Sequence, residues 1–440
     1  MKTSSVSLKQ MEDALILLTS LWESLDDTIQ EAYDNNSRSA GLNLALLPED
    51  VLVRIFEMYI EMCVMPDYDH YEVELRSPDV SPQIISLVCR RFREIVLHLP
   101  SAWQHISLNF PPHILCLHKE RCSNPTLHIS PTKNVPQMFA KMHIVIHPYY
   151  QWRELRMTFE HENYTRWYFK LLKPIIQTPF HALEFLSISN KLKPTESRGW
   201  NSPCLERKNA NFLSSWRMPN LTHLELRNVL PMKPLQCENV TFLHLDIIPN
   251  AVERKLCTRD FQAFLQSMPK IQSLSAIIKI VYVFFDEDSL IEEPHSTLPI
   301  LTALALQVVG PVPRIDKALG SFMALIDTRK LTRFSFGVNS GGEPRNPQAV
   351  PEDCLLTIFP TQSSDPQLGL PFERLEHFSI EMVDHRGAIP FDVFGRIFTL
   401  MPNVRHVSLT LPPTFEHCDF RYLVARQLGR CTETSAHSTG

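Results

Sequence analysis

Ten times along the chain one short pattern returns: an apolar residue, two others, an apolar residue, one other, an apolar residue. Trp103-Ile106-Leu108 is the first instance, followed by Trp152-Leu155-Met157, Leu183-Leu186-Ile188, Leu221-Leu224-Leu226 and Val240-Leu243-Leu245. Ile271-Leu274-Ala276, Leu301-Leu304-Leu306, Leu331-Phe334-Phe336, Leu375-Phe378-Ile380 and Val404-Val407-Leu409 complete the set. Most intervals lie near 30 residues, and 38 and 44 also occur. The closing alternation is that of a strand with one buried face. Three instances share a preamble, Met218-Pro219-Asn220, Met268-Pro269-Lys270 and Met401-Pro402-Asn403, and each preamble follows a helix-like apolar face: Phe212-Leu213-Trp216, Phe261-Phe264-Leu265 and Phe391-Phe394-Ile397-Phe398. A unit of helix, turn and short strand cannot bury its own apolar face, so such units must stack and share a core.

In these strands the pattern residues face inward, and the residues between them face out along one side. Arg156, Glu225, Arg227, His244, Asp246, His377, Glu381 and His406 are the outward candidates for binding a partner. Their charges are mixed. No outward set is dominated by Lys and Arg, so the face does not read as a nucleic-acid track, and no cluster of outward arginines suggests recognition of a phosphate. The pattern also predicts that Leu224 and Leu245 lie inside, in adjacent strands.

The N-terminal part is built differently. Leu8, Met11, Leu15, Leu18, Trp22, Leu25, Ile29 and Ala32 are spaced by threes and fours, the stripe of a heptad helix. That helix would dock on its own domain or pair with another chain as a coiled coil through residues 8–32. The Asn- and Ser-rich stretch Asp34–Ala40 reads as a linker. Leu47-Pro48-Glu49-Asp50 then opens a helix with Pro48 in its first turn, and Val51, Leu52, Ile55, Phe56 and Tyr59 give it an apolar face. After the acidic stretch Asp67–Asp79, Ser81-Pro82 starts a second helix that runs through Ile84, Ile85, Leu87, Val88, Phe92, Ile95 and Val96, with Arg90, Arg91 and Arg93 on its wet side. Pro100-Ser101-Ala102-Trp103 ends it.

Leu47-Pro48-Glu49, Ile55-Phe56, Val88-Cys89-Arg90-Arg91-Phe92-Arg93 and Pro100-Ser101-Ala102-Trp103 together resemble an F-box. Two features depart from that family's pattern: Phe92 stands where Trp is usual, and the Asp67–Asp79 stretch is long. The repeats resemble long, irregular leucine-rich repeats, although the trailing Asn of that consensus is mostly missing. The whole layout is similar to the F-box proteins expanded in mushroom-forming fungi. The expected fold is α/β: a heptad helix (1–35), a helical F-box module (42–108), an irregular leucine-rich-repeat-like solenoid (109–425) and a loose tail (426–440). The resemblance implies that Leu47, Pro48, Val51, Leu52, Ile55, Phe56, Val88, Cys89 and Phe92 dock on the Skp adaptor of a Skp–cullin–F-box ubiquitin ligase, and through it on cullin. The solenoid would hold a protein substrate. The alternatives are a scaffold that binds the adaptor without ubiquitination, and an enzyme without recognisable motifs.

Composition narrows the field further. With 12 glycines against 34 prolines, and no GxGxxG or GxxxxGK[ST], the chain lacks the loops that cradle phosphates in nucleotide-binding folds. A formal charge of −5 argues against nucleic-acid or anionic-lipid partners. The 10 cysteines are scattered singly, as buried free thiols of a reducing compartment would be. The run Leu274–Phe285 carries Lys279 and is too short to span a bilayer, and Ala14–Leu18 does not form a signal peptide. A cytoplasmic or nuclear protein without a membrane partner is expected. His113, Cys116, His118 and Cys122 match no zinc spacing. His161-Glu162 lacks a second His at the zincin spacing, Gly337–Gly341 is not a nucleophile elbow, and Asp384-His385 has no serine to complete a triad. No metal, cofactor or catalytic residue is expected.

Overall fold

The computed structural model of the chain describes residues 47–64, 81–129, 135–159, 179–190, 210–231, 233–247, 258–279, 297–309, 322–339, 351–359, 372–383 and 391–410, with scattered positions besides. The chain divides into two compact units, Met1–Ala102 and Trp103–Gly440. The heptad stripe from Leu8 to Ala32, the Asp67–Asp79 stretch and the 426–440 tail lie outside the described residues. Ser20, Ser24, Asp27 and Thr28, all off the stripe, are helical and exposed.

Among the described residues the body of the first unit is α1 (Glu49–Val64), α2 (Ser81–Val88) and α3 (Arg90–Leu97), and a single helical turn, Pro100–Trp103, follows at its end. Pro48 stands just ahead of α1 rather than within its first turn, and its carbonyl accepts the Leu52 N–H at 3.1 Å. Glu49 and Asp50 follow at the positive end of the helix dipole. The single helix expected from Ser81 onward is broken in two. Cys89 adopts an extended backbone, φ −156° and ψ 169°, and its Sγ accepts the Phe92 N–H, capping α3. Arg91 and Arg93 are not simply wet. Arg91 donates to the Leu47 carbonyl at 2.7 Å and Arg93 to the Ser86 carbonyl at 3.0 Å, while Arg90 pairs with Glu94 on the surface. Leu52, Phe56 and Ile60 of α1, Ile85 of α2 and Phe92, Ile95 and Val96 of α3 form the core, with the Phe56 and Phe92 rings edge to face at 4.9 Å.

Among the described residues the main sheet of the second unit has eleven parallel strands ranged in chain order, and a separate two-stranded ribbon pairs Lys255–Leu256 with Phe284–Phe285. The eleven are β1 (His105–Ser107), β2 (Thr126–Ile129), β3 (Glu154–Phe159), β4 (Phe185–Asn190), β5 (His223–Arg227), β6 (Phe242–Ile247), β7 (Ser273–Lys279), β8 (Ala303–Val309), β9 (Arg333–Asn339), β10 (His377–Val383) and β11 (His406–Thr410). The ten pattern instances are all strands. The pattern misses β2 because Asn124 occupies its first apolar position, ahead of Leu127 and Ile129.

Parallel sheets covered on both faces carry continuous apolar runs. Here burial alternates residue by residue, so one face lies on the core and the other does not. Ile106, Leu127, Leu155, Leu186, Leu224, Leu243, Leu274, Leu304, Phe334, Phe378 and Val407 stand in one inner row, strand to strand. The intervening chain returns through α4 (Pro112–Arg121), α5 (Val135–Val145), α6 (Thr258–Gln266), α7 (Pro351–Ile358) and α8 (Phe391–Thr399). Phe261, Phe264 and Leu265 of α6 and Val393, Phe394 and Ile397 of α8 join the same core. No helix among the described residues is long and apolar enough to cross a membrane.

The Met-Pro preambles have a physical role at the start of each strand. Met218, Met268 and Met401 are buried, and their carbonyls accept the N–H of Leu221, Ile271 and Val404, each at 3.3 Å. The residue after the proline position reaches back one unit. Asn220 donates to the His181 carbonyl at 2.7 Å, Asn403 to Glu373 at 2.7 Å and Lys330 to Pro299 at 2.8 Å. Asn239 donates to the Pro219 carbonyl, and Lys270 to the Asn239 side chain. Ile300 holds the same position, is exposed, and has no donor to offer. A second run of bonds lies beside it, from the hydroxyls of Thr222, Thr241, Thr302 and Thr332 to the carbonyls of Glu184, Thr222, Gln272 and Thr302.

Candidate functional site

Two surfaces stand out, one on each unit. On the first unit the expected docking residues separate by burial. Leu52, Phe56 and Phe92 are core, 0%, 5% and 7% exposed, so they shape the unit and do not present themselves to a partner. Leu47 is half-buried and Pro48 exposed; the Leu47 carbonyl is occupied by Arg91. Cys89 is half-buried as the α3 cap. The exposed apolar surface instead consists of Val51, Ile55 and Val88, joined by residues the motif did not single out as contacts: Met58, Tyr59 and Met62 on α1, and Ile84 and Leu87 on α2. Met62 and Leu87 are 75% and 74% exposed. The α1 residues recur every three or four positions and so share one stripe. Their signal lay in the helical period, which makes Val51, Ile55, Met58 and Met62 one stripe opposite Leu52, Phe56 and Ile60.

On the second unit the outward rows of the sheet form the other surface. One row runs His105, Thr126, Glu154, Phe185, His223, Phe242, Ser273, Ala303, Arg333, His377, His406. The next, two residues along, runs Ser107, His128, Arg156, Ser187, Glu225, His244, Ser275, Ala305, Ser335, Ser379, Ser408.

The eight expected residues fall into two groups. Arg156, Glu225, Arg227, His244 and Asp246 lie on β3, β5 and β6 and are largely committed to one another or to near neighbours. Arg156 pairs with Glu154 at 3.5 Å and stacks over the Phe185 ring at 4.2 Å. Glu225 is only 8% exposed, a correction to its reading as an open surface charge: it accepts from Ser187 Oγ at 3.0 Å and lies 3.9 Å from Arg227. His244 shares a hydrogen bond with Ser275 at 3.1 Å, and burial, with Arg227 beside it, pulls its pKa down. Asp246 is half-buried. His377, Glu381 and His406 lie on β10 and β11. From β6 to β10 is four strand spacings, about 19 Å. The His377 and His406 rings stack at 4.5 Å, 8° from parallel, and Glu381 is exposed. Sequence reasoning missed Phe185, His223 and Phe242, a run of rings in the first row at 6.4 and 5.6 Å. It missed Arg333 as well. Their positions were legible; their neighbours depended on the register.

The quartet near residue 118 resolves into core and surface. His118 is buried, bonded through Nδ1 to the Trp103 carbonyl at 3.0 Å and edge to face with the Trp103 ring, whereas His113 and Cys116 are exposed. Burial holds the His105, His118 and His128 pKa values down at about 4, about 4 and about 3, and the Arg156 charge adds to the effect on His105 and His128. Among the described residues no group of three or more His, Cys, Asp or Glu side chains could hold a metal ion. Residues 161–162, 340–341 and 384–385 lie outside the described residues. No protein-family model matches the chain, and no curated protein matches its sequence.

Proposed function

We propose that the first unit is an F-box that docks on a Skp adaptor, and through it on cullin, and that the second unit is an irregular leucine-rich-repeat solenoid that holds a protein substrate. On this reading the chain is the substrate-recognition subunit of a ubiquitin ligase in the cytoplasm or nucleus. It supplies proximity rather than chemistry: it raises the local concentration of substrate lysines beside the subunits that transfer ubiquitin. The observation that carries the reading is the apolar face of α1 and α2. Eight large hydrophobic side chains from Val51 to Val88 are exposed on α1 and α2, and apolar surface left open in this density marks a partner site. The sequential parallel sheet supports the second half, because stacking each strand on its predecessor yields one long polar face with a single core behind it.

Ile55 is 39% exposed and sits mid-stripe, so Ile55→Glu places a charge in the contact while leaving the Leu52–Phe56–Ile60 core intact. Adaptor binding should weaken by about 2 kcal/mol or more, as at an interface hot spot. Calorimetric titration of the full chain with a Skp adaptor measures it. Unchanged affinity in a folded variant would remove the F-box reading.

A further inference from the structure

The first two strands of the main sheet are its shortest. β1 has three residues and β2 four, whereas β7 to β10 have seven each. β1 ends the strand order, paired with β2 over three positions, and β2 is paired with β3 over four. In a stack held by nearest neighbours, a terminal piece with so short an interface is the first to open. Three imidazoles gather at this end. His105 of β1 and His128 of β2 stand on the outward rows with their rings 5.9 Å apart, and His118 of α4 is bonded through Nδ1 to the Trp103 carbonyl at 3.0 Å. The Gln104 amide meets His105 Nε2 at 3.3 Å, while His105 Nδ1 and His128 Nε2 are buried without a hydrogen-bond partner. The charged groups brought here are mostly cations. Arg156 of β3 stands beside His128 in the same row and is paired with Glu154. α4 brings Lys119, the exposed Glu120 and Arg121, with Arg121 over the Trp103 ring at 5.3 Å, and α5 brings Lys141, bonded to the Leu108 carbonyl.

We propose that His105 and His128 form an acid-sensitive latch, which releases β1 and β2 from β3 as the pH falls while the strands beyond stay folded. A neutral imidazole is tolerated at either position. An imidazolium there loses its hydration and meets the Arg156 charge and the other ring. Both rings accordingly titrate far below the ordinary imidazole value of 6.5: burial is the largest cause in each, and they lie at about 4 for His105 and about 3 for His128. Once released, each ring takes up a proton near its ordinary pKa, so the open form binds more protons than the closed one. Closure is therefore complete above pH 6.5 and is lost as the pH falls from there towards about 4. His118 acts in the same direction, although its bonds to the backbone of Trp103 and His105 favour the proton and partly offset burial. Opening takes His105, Ser107, Thr126 and His128 off the outward rows and leaves Glu154 and Arg156 as the new end of the face. The outward face is then two strands shorter in mild acid than at neutral pH, whatever it binds.

Hydrogen exchange of the full chain tests the latch, read by mass spectrometry at about pH 7.5, 6 and 5 and corrected for the intrinsic pH dependence of exchange. Peptides covering 104–129 should lose protection about tenfold or more between the first and last condition, and peptides covering 303–339 should keep theirs. His128→Phe retains a ring that packs and cannot titrate, and should flatten the pH dependence over 104–129. His105→Gln does the same from the neighbouring strand and is read independently. Arg156→Gln removes the adjacent cation and should move the opening to lower pH, which a packing role alone does not do. His406→Gln, on the exposed imidazole of β11, should leave the 104–129 profile unchanged and serves as the control. A loss of protection shared by all strands would make the effect ordinary acid unfolding and overturn the latch. Constant protection over 104–129 in the parent, the parent's full loss in both His128→Phe and His105→Gln, or opening at the same or higher pH in Arg156→Gln would each overturn it as well.

Discussion

Ile300 interrupts a run of side chains that ties several units to the one before. Asn220, Asn239, Lys270, Lys330 and Asn403 all donate across a unit boundary from this position. An exposed isoleucine leaves the Pro269 carbonyl without that donor and exposes apolar surface instead. Ile300→Asn should therefore stabilise the second unit by about 1 kcal/mol, the net worth of one hydrogen bond, and Asn220→Ala should cost a similar amount. Denaturant midpoints of parent and variants read both effects, and equal midpoints would mean these side chains are better served by water. The recurrence of Asn and Lys after Met-Pro was plain in the sequence, but its purpose was not. A side chain that bonds to a carbonyl about 20 to 40 residues back gives no local signal, and only the stacking of units brings the two together.

Strands were the most legible elements. A period of two with a bulky apolar pair survives even where the first position is lost, and β2 was missed only because Asn124 stands there. Leu224 on β5 and Leu245 on β6 lie in adjacent strands, as the pattern required, and both are fully buried. The residues paired across the two strands are Leu224 with Leu243 and Leu226 with Leu245, so Leu224 and Leu245 sit one step apart on the inner face. Truncating either to Ala should cost about 2–5 kcal/mol, because neighbours on both strands and from the returning chain hold the cavity open. Chemical denaturation of each variant checks this, and a variant melting like the parent would show that the core repacks freely. Helices were less legible. The turn at Cys89 broke a helix that periodicity joined, because a cysteine carries no strong preference for stopping one, and its sulfur becomes a cap only once the Phe92 N–H is aimed at it.

At the scale of the whole molecule, burial redistributed the expected sites more than it removed them. Three of the residues assigned to docking became the interior of the first unit, and the surface passed to Met58, Met62 and Leu87. A motif fixes which residues recur, not which of two adjacent helical faces each one takes. The outward sheet residues keep the strand parity that the pattern gave them, although Glu225 is buried. Which of them meet depends on strand neighbours, a property of register that no single strand contains.

The strand starts share one set of bonds from unit to unit, and this makes the length of the second unit adjustable. Ile271, Leu301 and Leu331 are spaced by 30 residues, and Thr302 and Thr332 make the same backward bond. Removing residues 301–330 would join Ile300 to Leu331 in frame, set Thr332 against Gln272, and lay β9 directly beside β7. Such a shortened chain should fold to ten strands with a single, lower melting transition by circular dichroism; an unfolded product would show that β8 is irreplaceable. The excision also deletes Ala303 and Ala305, so the outward rows of β7 and β9 would meet with no spacer between them. A chain assembled this way can change the distance between two grips on a partner by whole units of about 4.8 Å, without redesigning either grip.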